Sequence, residues 1–141
     1  MVFPGDFPRK DKKRGLMISH LIRFLHPEEV LMSGGSRSIY GWLAEQYSSG
    51  SFRTGVTDEK LPFHCRKLLL LTGELSMIPT VHPEDVWIFP DLNIFPTRQS
   101  QEKMMEMPGI TVSVKAKNMV ILFFHPVLMK QHYVIKGWFY L

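Results

Sequence analysis

The chain has 141 residues, 45% hydrophobic and 21% charged, which fits one ordinary globular domain. With 12% aromatics it can bury a core, so wholesale disorder is excluded. No apolar run approaches the ~18 residues of a spanning helix. A single cysteine, Cys65, excludes an internal disulfide framework and a cysteine-rich zinc site.

The net charge is +4, and it is unevenly placed. Residues 1–14 hold Arg9, Lys10, Lys12, Lys13 and Arg14 against Asp6 and Asp11, while the rest of the chain is nearly neutral. This segment also carries Pro4, Gly5 and Pro8 and shows no helical period. It reads as a flexible basic arm, residues 1–14, ahead of a single globular domain, residues 15–141. No apolar stretch follows its charges, so it does not read as a secretory signal, and a cytosolic start is expected. Three roles compete for the arm. It is a solvated solubility tail, an adhesive segment for anionic lipid or nucleic acid in which Phe3 and Phe7 insert at the interface, or a nuclear-import signal at Lys12-Lys13-Arg14.

Leu16–Leu25 (LMISHLIRFL) is apolar at 17, 18, 21, 22, 24 and 25, the pattern of a mostly buried helix. His26-Pro27-Glu28-Glu29 reads as a stop followed by the opening of a new helical turn. Ser33-Gly34-Gly35-Ser36 is a break. Ser38 caps a second expected helix whose apolar stripe is Ile39, Trp42, Leu43 and Tyr47. Residues 51–60 read as a polar loop. Phe63–Thr72 (FHCRKLLLLT) suits either a helix or a buried strand. His82-Pro83-Glu84-Asp85-Val86 repeats the pattern of His26–Val30, which reads as two turn signals and not as a duplicated domain. Val86–Phe89 reads as a strand, Pro90–Pro96 as a connection and Gln99–Met107 as a loose helical segment. Ile110–Lys115 alternates apolar and polar residues like a half-buried strand. Met119–Phe124 and Tyr133–Tyr140 are further strands. Helices first and strands later, without βαβ alternation, predict an α+β fold: two N-terminal helices packed on an antiparallel sheet.

The chemistry of catalysis is thin. His26, His82 and His125 each precede proline and mark turns. Cys65 lies in an apolar run between His64 and Arg66, where a lone thiol is usually buried and inert. The Ser33–Ser36 loop lacks the lysine of a phosphate-binding loop. No metal or cofactor set emerges, and the sequence reads against an enzyme.

Three collinear stretches resemble the matrix proteins of rhabdoviruses, most nearly those of lyssavirus type: Ile18–Gly41 (ISHLIRFLHPEEVLMSGGSRSIYG), Leu61–Glu74 (LPFHCRKLLLLTGE) and Met107–Lys117 (MPGITVSVKAK). The resemblance makes Phe63–Thr72 a strand. It implies a non-catalytic structural protein that self-associates, binds the viral nucleocapsid, coats the inner membrane face and promotes budding, with host proteins as further partners. Its place is then the virion and the host cytoplasm, peripheral on membrane, with the nucleus as a further site. The membrane or nucleic-acid contacts implied are Phe3, Phe7, Arg9, Lys10, Lys12, Lys13 and Arg14. The proline-tyrosine budding motif of the family is missing, the arm is short and an opening strand is lacking. Two other readings stand beside it: a small cytosolic interaction domain with a basic tail, and a hydrolase using Cys65 and a histidine.

Overall fold

The computed structural model describes residues 9–33, 46, 51–54, 66–72, 80–95, 97–116, 118–126 and 130–135. Of the second expected helix only Gln46 lies among them, and it is helical; Ile39, Trp42 and Leu43 fall outside, as do His64 and Cys65. The fold is α+β. Helix α1 (Arg9–Leu25) is followed by strands β1 (Glu29–Met32), β2 (Ser51–Thr54), β3 (Lys67–Leu70) and β4 (Val86–Phe89). A 3-10 turn at Leu92–Ile94 leads to helix α2 (Arg98–Met105), and β5 (Val112–Ala116), β6 (Met119–Phe123) and β7 (Gln131–Ile135) close the order.

The seven strands form one sheet in the order β2-β1-β3-β4-β6-β5-β7. It is mixed, not antiparallel as the element order predicted. β2, β1, β3 and β4 run parallel to one another. β6 is antiparallel to β4 and to β5, and β7 is parallel to β5. Parallel neighbours need crossovers of a dozen or more residues, and the stretches 33–50, 55–66 and 71–85 are long enough to provide them. Strand composition agrees with this arrangement. β3 is buried at every position, the near-continuous apolar pattern of a strand covered on both faces.

Each face carries its own core. On one, Ile18 and Ile22 of α1 pack over Val30, Met32, Leu68, Leu70, Ile88 and Ile121. On the other, Leu92, Phe95, Met104 and Ile110 cover Leu69, Trp87, Phe89, Leu122 and Phe124. Trp87 and Phe124 pack with ring centres 4.8 Å apart and Phe89 and Phe95 with centres 5.4 Å apart, the ring planes tilted by 57° and 44°, contacts that add to area burial. α2 starts on a capping box: Thr97 Oγ1 accepts from the Ser100 N–H at 3.0 Å, and the Thr97 N–H donates to Ser100 Oγ at 3.3 Å.

Three local expectations change. α1 begins at Arg9, so the arm does not extend to residue 14. Lys and Arg propagate a helix well, and Asp11 in the first turn suits the positive end of the helix dipole. α1 stops at His26, whose φ of 46° is left-handed, and Pro27 forbids continuation. The following Glu28-Glu29 then opens a strand and not a new helix, because the backbone N–H groups of both donate to the Arg66 carbonyl, at 2.8 and 3.4 Å. Residues 51–54 are strand β2 and not loop, paired along β1.

The two faces of α1 give a direct test. Ile22 is 1% exposed, whereas Phe24 is 82% exposed. Ile22→Ala is expected to cost about 2–5 kcal/mol and Phe24→Ala less than about 0.5 kcal/mol, read as urea-denaturation midpoints at unchanged slope.

Candidate functional site

α1 turns about 100° per residue, so its chemistry sorts by arc. Arg14, Gly15, Ile18, Ser19 and Ile22 are buried against the sheet. The opposite arc carries Arg9, Lys12, Lys13, His20, Arg23 and Phe24, with Arg9, His20, Arg23 and Phe24 exposed and Lys12 and Lys13 half-buried. Asp11, the only acidic residue of the helix, falls on the sheet side by the same period. The outer surface of α1 therefore carries basic residues at both ends, with half-buried Leu16 and exposed His20 between them, and ends in an exposed aromatic ring.

The sequence-derived contact set changes accordingly. Arg9, Lys12 and Lys13 stand on the outer face of a helix rather than on a mobile arm. Lys10 lies within α1, and Phe3 and Phe7 lie outside the described residues. Arg14 leaves the set: it is 4% exposed, and its Nη1 sits 3.7 Å from Asp91 Oδ2. It occupies the sheet-facing arc one turn before Ile18, where burial of a guanidinium requires a carboxylate. Arg23 and Phe24 join the set. In the sequence both lie inside an apolar run, whose pattern predicts Phe24 in the core. The available signal was angular, since Phe24 lies 15 positions after Arg9, close to four whole turns.

A second cluster lies at the head of β3. Lys67 is the first residue of that strand, and its side chain and that of Asp85 are both 0% exposed. Lys67 Nζ donates to Asp85 Oδ1 at 2.7 Å and to His82 Nδ1 at 2.6 Å, which leaves the ring proton of a neutral His82 on Nε2. Asp85 Oδ2 accepts the His82 backbone N–H at 3.1 Å and the Trp87 indole N–H at 3.3 Å. A tight turn brings His82 and Asp85 together: Pro83 presets its bend, Glu84 adopts φ of 70°, and the Asp85 N–H donates to the His82 carbonyl at 3.2 Å. No described buried side-chain polar atom lacks a partner.

The two His-Pro-Glu segments thus do equivalent work. One feeds β1 and the other β4, the strands that flank β3. Glu28 Oε2 accepts the Arg66 N–H at 3.0 Å, while Asp85 takes the Lys67 ammonium. Both hold the start of β3. The side chains of Lys67 and Asp85 are fully buried, and the network clamps the start of β3 to the turn before β4.

Beside the clamp, where α1 ends, a cleft of about 460 Å³ opens between Leu25, Pro27, Leu68, Val86 and Phe123. His125 and Glu84 face each other there at 3.5 Å, and Arg66 stands at the same lining. The described residues include no group of three or more His, Cys, Asp or Glu placed to hold a metal ion. They include no helix long and apolar enough to cross a membrane. Comparison with family models, curated proteins and solved structures gives no match.

The clamp makes a clear energetic prediction. Asp85→Leu strands a buried ammonium and is expected to cost about 3–5 kcal/mol, whereas adding Lys67→Met to it is expected to recover most of that loss. A double-mutant cycle on denaturation free energies measures the coupling. Additive losses would show that the two charges do not stabilise each other.

Proposed function

We infer that the chain is a non-catalytic structural protein that sits peripherally on an anionic membrane face, with the outer face of α1 as its contact. The observation that carries this reading is the arc of Arg9, Lys12, Lys13, His20 and Arg23, free of acidic residues and ending at Phe24, which is 82% exposed. A helix with basic residues on one face and an aromatic ring at its margin lies well in a headgroup layer. Each Lys or Arg near such a surface contributes about 1 kcal/mol. Phe24 supplies apolar contact next to Arg23, at the end of α1 where the cleft begins. The wider role proposed is that of a matrix-type assembly protein, which self-associates and gathers a ribonucleoprotein at the membrane. That part rests on the three stretches similar to rhabdovirus matrix proteins.

Flotation on vesicles tests the membrane step. Four alanines at Arg9, Lys12, Lys13 and Arg23 remove about 4 kcal/mol of attraction, roughly a thousandfold in affinity. Binding is expected on anionic vesicles only, and it should fall steeply as salt shortens the Debye length from about 8 Å. Phe24→Ser should weaken binding while leaving its salt dependence in place. Arg14→Ala, on the buried arc, should lower stability and leave vesicle affinity unchanged. Equal flotation of the wild type and the four-alanine variant would defeat the reading.

A further inference from the structure

We propose that β7 is an interaction edge that takes an acidic, extended segment of a partner protein as an added strand. The inference goes beyond the membrane reading and does not rest on it. β7 is the last strand of the sheet, and among the described residues nothing pairs with its outer side. Residues 130–134 are all exposed, with Tyr133 at 49% and Val134 at 67%, so the edge stands open to solvent.

The backbone fixes what the edge offers. The Gln131 N–H donates to the Thr111 carbonyl at 2.9 Å, and β7 runs parallel to β5 with Gln131 opposite Val112. Peptide groups alternate along a strand. Gln131, Tyr133 and Ile135 therefore turn their N–H and C=O groups toward β5, while those of His132 and Val134 point outward. Ser113 Oγ and His132 Nδ1 lie 2.6 Å apart, which ties β7 to a buried residue of β5. A strand already held in place has little ordering entropy left to lose on pairing.

Charge selects the occupant. The three strands at this end of the sheet, β6, β5 and β7, all lie within residues 107–141. That stretch holds Lys115, Lys117, Lys130 and Lys136 and no Asp or Glu. The chain has 17 basic and 13 acidic residues, so these four lysines equal its whole net charge of +4. Lys115 and Lys130 are exposed, and Lys130 and Lys136 bracket β7 in the sequence. Lysines at the ends of an edge strand guard it against its own kind. Two β7 strands paired antiparallel about Tyr133 set Lys130 against Lys136, like charge against like. An incoming strand with carboxylates at both ends meets attraction at the same positions. Between the lysines β7 presents His132, Tyr133 and Val134, which suit a β-branched or aromatic centre in the partner. Strand addition draws affinity from main-chain hydrogen bonds and specificity from side chains.

The sheet faces argue against nucleic acid as the occupant. Sheets that bind single strands stack bases on an open face. Here β6 is buried from Met119 to Leu122. Tyr133 shares the face of Val114, which packs on the α1 core, and His132 that of buried Ser113. What stands open is the edge.

Fluorescence anisotropy of labelled peptides on the full chain tests this at about 50 mM salt, where screening is weak. The probe is EETVYVTEE, which reads the same in both directions and sets its inner glutamates six positions apart, as Lys130 and Lys136 are. Saturable binding is expected, with KKTVYVTKK inert. EEGSGSGEE, equally acidic but poor in strand propensity, should bind at least about tenfold more weakly. Lys130→Glu with Lys136→Glu should raise the dissociation constant for EETVYVTEE at least about fivefold. Val134→Pro removes an outward N–H that β5 does not use, a change tolerated on an edge strand, and should raise it about fivefold. Where Val134→Pro alters the far-ultraviolet spectrum, the lysine pair decides. Absence of binding, equal affinity for EETVYVTEE and EEGSGSGEE, or unchanged affinity of the deciding variant would overturn the proposal. Displacement of the probe by a uridine decamer at lower concentration than by unlabelled peptide would overturn it too, and would assign the surface to nucleic acid. Vesicle flotation of the α1 variants is a separate readout, so failure of the edge and failure of the membrane contact are told apart.

Discussion

The desolvation of one ammonium group constrains the centre of this fold. Lys67 heads a strand whose every side chain is buried, and a cation there is tolerable only with a carboxylate in contact. Asp85 supplies it and accepts two N–H groups on its other oxygen. That requirement helps fix the register of β4 against β3, since a one-residue slip would carry Asp85 to the opposite face and leave Lys67 unmatched. The same slip would bury Val86 in place of Trp87 on the side covered by Phe95 and Met104. The ion pair, the indole hydrogen bond and the second core therefore specify the same register.

With the middle of the sheet fixed, the two faces divide the labour. The α2 side is an aromatic core, closed by Trp87, Phe89, Phe95 and Phe124. The α1 side is aliphatic, and the helix that covers it turns a basic arc outward. Arg14 and Arg23 illustrate the consequence of helical angle. They are the same residue type on the same helix, yet one is matched to Asp91 in the interior and the other stands on the proposed membrane face. Function on this reading belongs to exposed arcs and edges. The buried charges serve the scaffold.

Much of the architecture was legible in the residues. The 3.6-residue period of Leu16–Leu25, the alternation of Ile110–Lys115 and the apolar run Met119–Phe124 announce α1, β5 and β6, because local periodicity reports which side of an element meets the core. Val86–Phe89 and the helical segment after Pro96 were likewise visible. Parallel pairing was not, because strand direction depends on where a crossover returns; the helical stripe expected at Ile39–Tyr47 does not say which strand follows it or on which side, and residues 51–54 read as loop and not as the returning strand. Glu29–Met32 hid behind His-Pro-Glu-Glu, whose proline and acids suit a helix start until the Arg66 carbonyl captures its N–H groups.

The sequence by itself determined composition, charge, the class of fold and the places where apolar periodicity builds helix or strand, all of which depend on near neighbours along the chain. Only the tertiary structure decided the partners of Lys67, the burial of Arg14, the exposure of Phe24 and the open edge at β7. Each of those depends on what lies opposite a side chain or a peptide group in space. A lysine before four leucines and an aspartate 18 positions later become one interaction only when parallel strands bring them within hydrogen-bond distance.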